Sequence, residues 1–183
     1  MKSGLKWTGE RLVPTELHEI AVEHLARYAF CMPLMQSKTV LDLACGEGYG
    51  THLLSQAAKE IIGVDIDRLT VAHAQARYGN GKTKFAEAPA NKLPFEDSYF
   101  DVAVSFETLE HLYEQDEMIG EIKRVLKKDG ALIISTPNKE EHSRISPEVN
   151  PFHAKELDKE EFKVTYRLGH LLLSPVKWLN KKK

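Results

Sequence analysis

The chain has 183 residues, 42% hydrophobic and 28% charged, enough for one domain with a substantial core and ordinary for a soluble globular protein. Twenty-five Lys and Arg stand against 27 Asp and Glu, and the net charge of -2 excludes a global basic field for nucleic acid. Cys31 and Cys45 make no disulfide framework and are read as reduced thiols, as in a cytoplasmic protein. The opening "MKSGLKWTGERLVP" lacks the apolar run of a signal peptide, and no stretch nears the roughly 20 apolar residues of a membrane span.

In chain order, "PTELHEIAVEHLARYAFCMPLM" predicts a helix, with Leu17, Ile20, Ala21, Leu25 and Tyr28 at helical spacing, Pro14 and Thr15 at its start and Pro33 limiting its end. An alternation follows. "TVLDLA" predicts a strand, "YGTHLLSQAA" a helix, "EIIGVD" a strand and "RLTVAHAQARY" a helix ended by Gly79-Asn80-Gly81. "TKFAEA" is a weak strand and "YFDVAVS" a strong one; "TLEHLYEQDEMIGEIKRVLKK" is one helix or two, closed by Asp129-Gly130. "ALIISTP" predicts a fifth strand, "DKEEFKVTYRL" a last helix and "HLLLSPV" a candidate sixth strand. Continuous apolar strands alternating with helices imply an α/β fold with a mostly parallel sheet covered on both faces.

In "VLDLACGEGYG" (Val40 to Gly50) a strand runs through a glycine-rich turn into a helix, the place where a doubly wound sheet holds a nucleotide-like ligand. Glycines there admit close backbone approach. Gly46 and Gly48 fit the first two positions of G-x-G-x-x-G, but the third is Thr51. Asp42 and Glu47 flank the loop and would repel a pyrophosphate. The same carboxylates suit a ligand with an ammonium and a sulfonium, S-adenosylmethionine. Asp65, ending "IIGVD", is placed to accept ribose hydroxyls, and Asp67 to cap the next helix at Leu69.

After the fourth strand, Glu107, Glu110 and His111 stand at i, i+3 and i+4, one face of a helix if the backbone is helical there. His153, after the fifth strand, is expected on the same sheet edge. Two carboxylates and two imidazoles can hold a divalent ion such as Mg or Mn. Equally, His111 or His153 can serve as a metal-free general base with Glu107 as a contact, or the cluster can be structural. His18, His24, His52, His73, His142 and His170 are read as surface residues.

Four stretches in order, "VLDLACGEGYG", "GVDID", "LPFEDSYFDVAVSFETLEHL" and "RVLKKDGALIISTPN", resemble the motifs of class I S-adenosylmethionine-dependent methyltransferases, from Val40 to Asn138. The flanks "TGERLVP", "EHLARYAF" and "NPFHAKELDKEEF" resemble bacterial methyltransferases found with glycosyltransferases in polysaccharide biosynthesis. The resemblance implies a Rossmann-like fold in which Asp42, Ala44, Gly46 and Gly48 line the methionine part of the cofactor and Asp65 the ribose. Ala90 and Asn91 would lie near the adenine, with Pro89 replacing the polar residue of many relatives. Arg27 is a candidate partner of the methionine carboxylate, and Glu10 and Arg11 of an N-terminal lid. The set Glu107, Glu110, His111 and His153 also resembles the metal site of small-RNA 2′-O-methyltransferases.

The organisation expected is a single domain, with residues 1–38 a lid segment and helix and 39–183 the Rossmann-like body. That family commonly has seven strands, so the sheet is expected to have a truncated C-terminal edge. A partner subunit covering that edge, as in a homo-oligomer, an inactivating truncation that leaves a degenerate cofactor-binding module, and weak membrane contact through "LLLSPVKWLNKKK" are the readings of this end. The expected activity is O-methylation of a sugar or glycan intermediate, with small-molecule or RNA ribose O-methylation as the alternative.

Overall fold

The computed structural model describes residues 19–140 and 150–165. Helix α1 (Glu19–Cys31) runs into a short 3-10 turn at Met32–Met35 that contains Pro33. Then follow β1 (Thr39–Leu43), α2 (Tyr49–Ser55), β2 (Glu60–Asp65), α3 (Arg68–Tyr78), β3 (Thr83–Glu87) and β4 (Phe100–Phe106). The chain ends its described part with a 3-10 turn at Leu109–His111, α4 (Gln115–Val125), β5 (Leu126–Ser135) and α5 (Lys159–Thr165). His18, His142, His170, Glu10, Arg11, the candidate sixth strand and the basic tail lie outside the described residues.

The five expected strands form one sheet in the order β3-β2-β1-β4-β5, and every described pair is parallel. The chain winds outward from β1 to β3, then crosses back to β4 beside β1. That reversal opens a crevice at the carboxyl ends of β1 and β4, where such sheets bind ligands.

Strand alternation feeds two cores. Val40, Ile61, Val102, Val104 and Ile133 face Tyr28, Cys31 and Met35 of the N-terminal segment and Leu54 of α2. Leu41, Ile62, Ala103, Leu132 and Ile134 face Met118, Ile122 and Val125 of α4 and Phe162 of α5. The N-terminal helix therefore shares a core with the sheet. At the β3 edge, the Phe85 N–H donates to the Gln75 side chain of α3, which covers an open strand group. Both cysteines are buried and unbridged, and burial pushes the Cys31 thiol up to about 12. No described helix is long and apolar enough to cross a membrane.

Candidate active site

The turn after β1 is built on left-handed backbone. Ala44, Gly46 and Gly48 have φ of 59°, 54° and 80°. The two glycines differ in purpose. Among the described residues a Cβ on Gly46 would meet nothing within 4 Å, so this residue faces the crevice. A Cβ on Gly48 would lie 2.7 Å from the Phe85 ring and 2.8 Å from Ala74. Gly48 is thus small so that the start of α2 can pack on α3 and β3.

The Gly46 N–H donates to one Asp65 oxygen at 2.9 Å, and the Asp67 N–H donates to the other at 2.9 Å. Carboxylate oxygens have further lone pairs, so Asp65 retains capacity for hydroxyl donors. Asp67 caps α3 as expected, accepting from the Leu69 N–H at 3.2 Å and from the Thr70 hydroxyl.

Beneath the turn, Asp42 is fully buried and accepts from the Tyr28 hydroxyl at 3.2 Å and the Thr51 hydroxyl at 2.6 Å. Burial raises its pKa to about 7, against the opposing pull of those two hydroxyls. Thr51, where a third motif glycine would stand, is therefore a structural partner of Asp42. Glu47 is also buried, and its Oε1 has no hydrogen-bond partner among the described residues.

Arg27 of α1 is nearly buried. One nitrogen lies 3.5 Å from the Glu107 carboxylate, while Nε and Nη1 are buried without hydrogen-bond partners among the described residues. Unpaired guanidinium nitrogens out of water are costly and suit an anion. His24 is not the surface residue expected: its Nδ1 lies 3.3 Å from the Tyr49 hydroxyl, and burial with the nearby Arg27 lowers its pKa. His52 is exposed and stacked on Tyr78 as expected of a surface residue, whereas His73 is half-buried with an unpartnered Nε2.

On the other side of Asp65, Ile66 and Leu69 are 71% and 72% exposed, large apolar groups beside the crevice. Ile66 is the apolar residue between the two aspartates of "GVDID" and was not among the expected site residues. Ala90 packs on the core, and the Asn91 amide donates to Glu117 of α4 at 3.1 Å. Arg124 of α4 fixes the following loop by donating to the Leu93 and Phe95 carbonyls and to Asp97.

The acidic segment departs from expectation. Glu107 has φ of 52° and Thr108 is also non-helical, so no single helix face carries Glu107, Glu110 and His111. The reversal turns Glu107 back toward the sheet, where it accepts from the Ser135 hydroxyl at 2.7 Å and faces Arg27. Glu107 is therefore separated from the cluster assigned to it. Glu110, His111 and His153 do come together, with one ligand atom from each within 4.8 Å of the others.

A Rossmann-like doubly wound sheet with this turn and this carboxylate at the end of β2 defines a nucleotide-type binding fold of the methyltransferase class. Residues 41–134 match the family described as a methyltransferase domain, and the chain belongs to that family. It is 36% identical over 171 residues to a probable S-adenosylmethionine-dependent methyltransferase of Mycolicibacterium smegmatis, covering 88% of this chain and 63% of the relative. A similarly named protein of Mycobacterium tuberculosis is 36% identical over 167 residues, 86% of this chain and 58% of the relative. The chain thus spans about three-fifths of the length of these relatives. The YcgJ protein of Bacillus subtilis has the same fold, with a TM-score of 0.68, 23% identity, and coverage of 78% of this chain and 66% of that one.

Proposed function

We propose that the chain binds S-adenosylmethionine in the crevice over the β1 turn and transfers its methyl group to a hydroxyl of a sugar or glycan intermediate. The observation that carries the cofactor reading is the pairing of Gly46, open to the crevice, with Asp65 beside it. In this reading Asp65 accepts the ribose hydroxyls and Ile66 covers the adenine, with Ala90 and Asn91 near its edge. Arg27 takes the methionine carboxylate at its unpartnered nitrogens. Glu47 offers its unpartnered oxygen to the ammonium, and Asp42 supports the turn from below through Tyr28 and Thr51.

Methyl transfer breaks the carbon–sulfur bond as the acceptor oxygen forms its bond to carbon, and the sulfonium becomes a neutral thioether. In-line positioning supplies much of the rate. The acceptor hydroxyl must also lose a proton. His111, in the turn after β4, and His153, packed against it, are the candidate bases, and the Nδ1 of each lies against an acceptor, so the electron pair is on Nε2. The sugar assignment is supported by the resemblance of the flanking segments to methyltransferases of polysaccharide biosynthesis.

The test is release of S-adenosylhomocysteine on incubation with a panel of sugars and nucleotide sugars. His111→Ala is expected to abolish turnover and to leave S-adenosylhomocysteine binding intact. Turnover that survives the substitution removes His111 from the chemistry.

A further inference from the structure

Glu110, His111 and His153 are supported in a way that simple crowding does not require. His111 Nδ1 lies 3.0 Å from the Phe152 carbonyl oxygen, which can only accept, so this nitrogen carries the hydrogen. His153 Nδ1 lies against the Glu156 carboxylate, which fixes the same tautomer. Both imidazoles thus present Nε2 as the electron-pair donor. Histidines that hold metals are oriented in this way, with the other ring nitrogen donating to a carbonyl or carboxylate.

Glu110 is buried, and its Oε2 accepts from the Thr136 hydroxyl at 2.8 Å. Its Oε1 is 4.0 Å from His111 Nε2. The His111 and His153 rings are 5.2 Å apart, edge to face. Donors bound to one ion at about 2.1 Å stand about 3 to 3.5 Å from each other, so closure needs an inward shift of about an ångström.

We propose that Glu110, His111 and His153 form a binding site for a divalent first-row transition-metal ion just beyond the carboxyl end of β4. Two neutral imidazoles and one carboxylate select such an ion over calcium, which prefers oxygen alone. The Asn150 amide, 3.0 Å from His153 Nε2, gives way to the ion. The side chain of His111 is 30% exposed, which gives an ion access. Binding of the ion stands on this geometry alone; its use rests on the methyltransferase reading. With the ion bound the imidazoles are ligands instead of bases. Held by Glu110, His111 and His153, the ion would supply Lewis acidity that lowers the pKa of an acceptor hydroxyl, whose proton would leave to solvent.

The test is titration of the purified chain with Mn²⁺ by calorimetry and with Co²⁺ by visible absorption. One saturable ion per chain is expected, weakened at least tenfold by His111→Ala, His153→Ala or Glu110→Gln and unaffected by His52→Ala. In the unaltered chain, Mn²⁺ should broaden the His111 and His153 imidazole signals first, which covers the case of a variant that fails to fold. Absence of saturable uptake, or uptake indifferent to all three substitutions, overturns the site. Ion uptake without S-adenosylhomocysteine binding overturns the methyltransferase reading and keeps the site; the converse overturns the site alone.

Discussion

The Gly46 N–H donates to the Asp65 carboxylate at 2.9 Å, tying the turn after β1 to the end of β2 across 19 residues of sequence. The bond fixes the carboxylate at the lip of the crevice. Asp65→Ala is expected to weaken S-adenosylhomocysteine binding about 10- to 100-fold, the scale of lost hydrogen bonds to a charged group. The melting temperature should fall only slightly. Calorimetry reads the affinity, and an unchanged value would remove Asp65 from the ribose.

The two turn glycines should separate binding from folding. Gly48→Ala adds a collision with Phe85 and Ala74 to a left-handed backbone, and should destabilise by about 2–4 kcal/mol. Gly46→Ala carries only the backbone cost of about 1–2 kcal/mol but puts a methyl group into the crevice. Urea unfolding and ligand titration of both variants check this. Gly46→Ala should be the more stable variant and the weaker binder.

Asp42 predicts a pH dependence. Its carboxyl has a reference value of 3.8 and, folded, titrates at about 7 because it is buried. Between those values the native state holds more protons than the unfolded chain, so Asp42 lowers stability progressively from about pH 4 to pH 7, with no further change above. Asp42→Asn should remove that slope, a difference of a few kcal/mol across the window, read from urea unfolding at pH 4 to 8. Parallel curves would contradict the assignment.

Arg27 should matter to the ligand more than to the fold. Among the described residues its one ionic partner is 3.5 Å away and two of its nitrogens are unpartnered, so the free protein gains little from it. Arg27→Met should leave stability unchanged or raise it by about 1 kcal/mol, and weaken S-adenosylhomocysteine at least tenfold. A loss of stability with affinity intact would make Arg27 structural.

β1, β2 and β4 were legible because each is a short apolar run, and α3 matches "RLTVAHAQARY" end to end; β5 instead begins at Leu126, inside the stretch expected to stay helical up to Asp129-Gly130. The segment after β4 was misleading. Spacing of i, i+3 and i+4 marks a face only where the backbone stays helical, and Glu107 leaves that region. The real start of α4 at Gln115 carries Asp116 and Glu117 in its first turn, a signal that favours a helix beginning there. The meeting of Arg27 with Glu107 and of His111 with His153 depends on which strands lie side by side, and no local pattern encodes it. Nor did spacing distinguish Gly46, which faces ligand space, from Gly48, which faces a phenyl ring.

The most direct measurement is calorimetric titration of S-adenosylhomocysteine into the purified chain, repeated with Asp65→Ala. The expected result is one saturable site per chain that is lost or sharply weakened in the variant. No saturable heat in the unaltered chain, or equal binding in the variant, would contradict a cofactor site built on the β1 turn and Asp65.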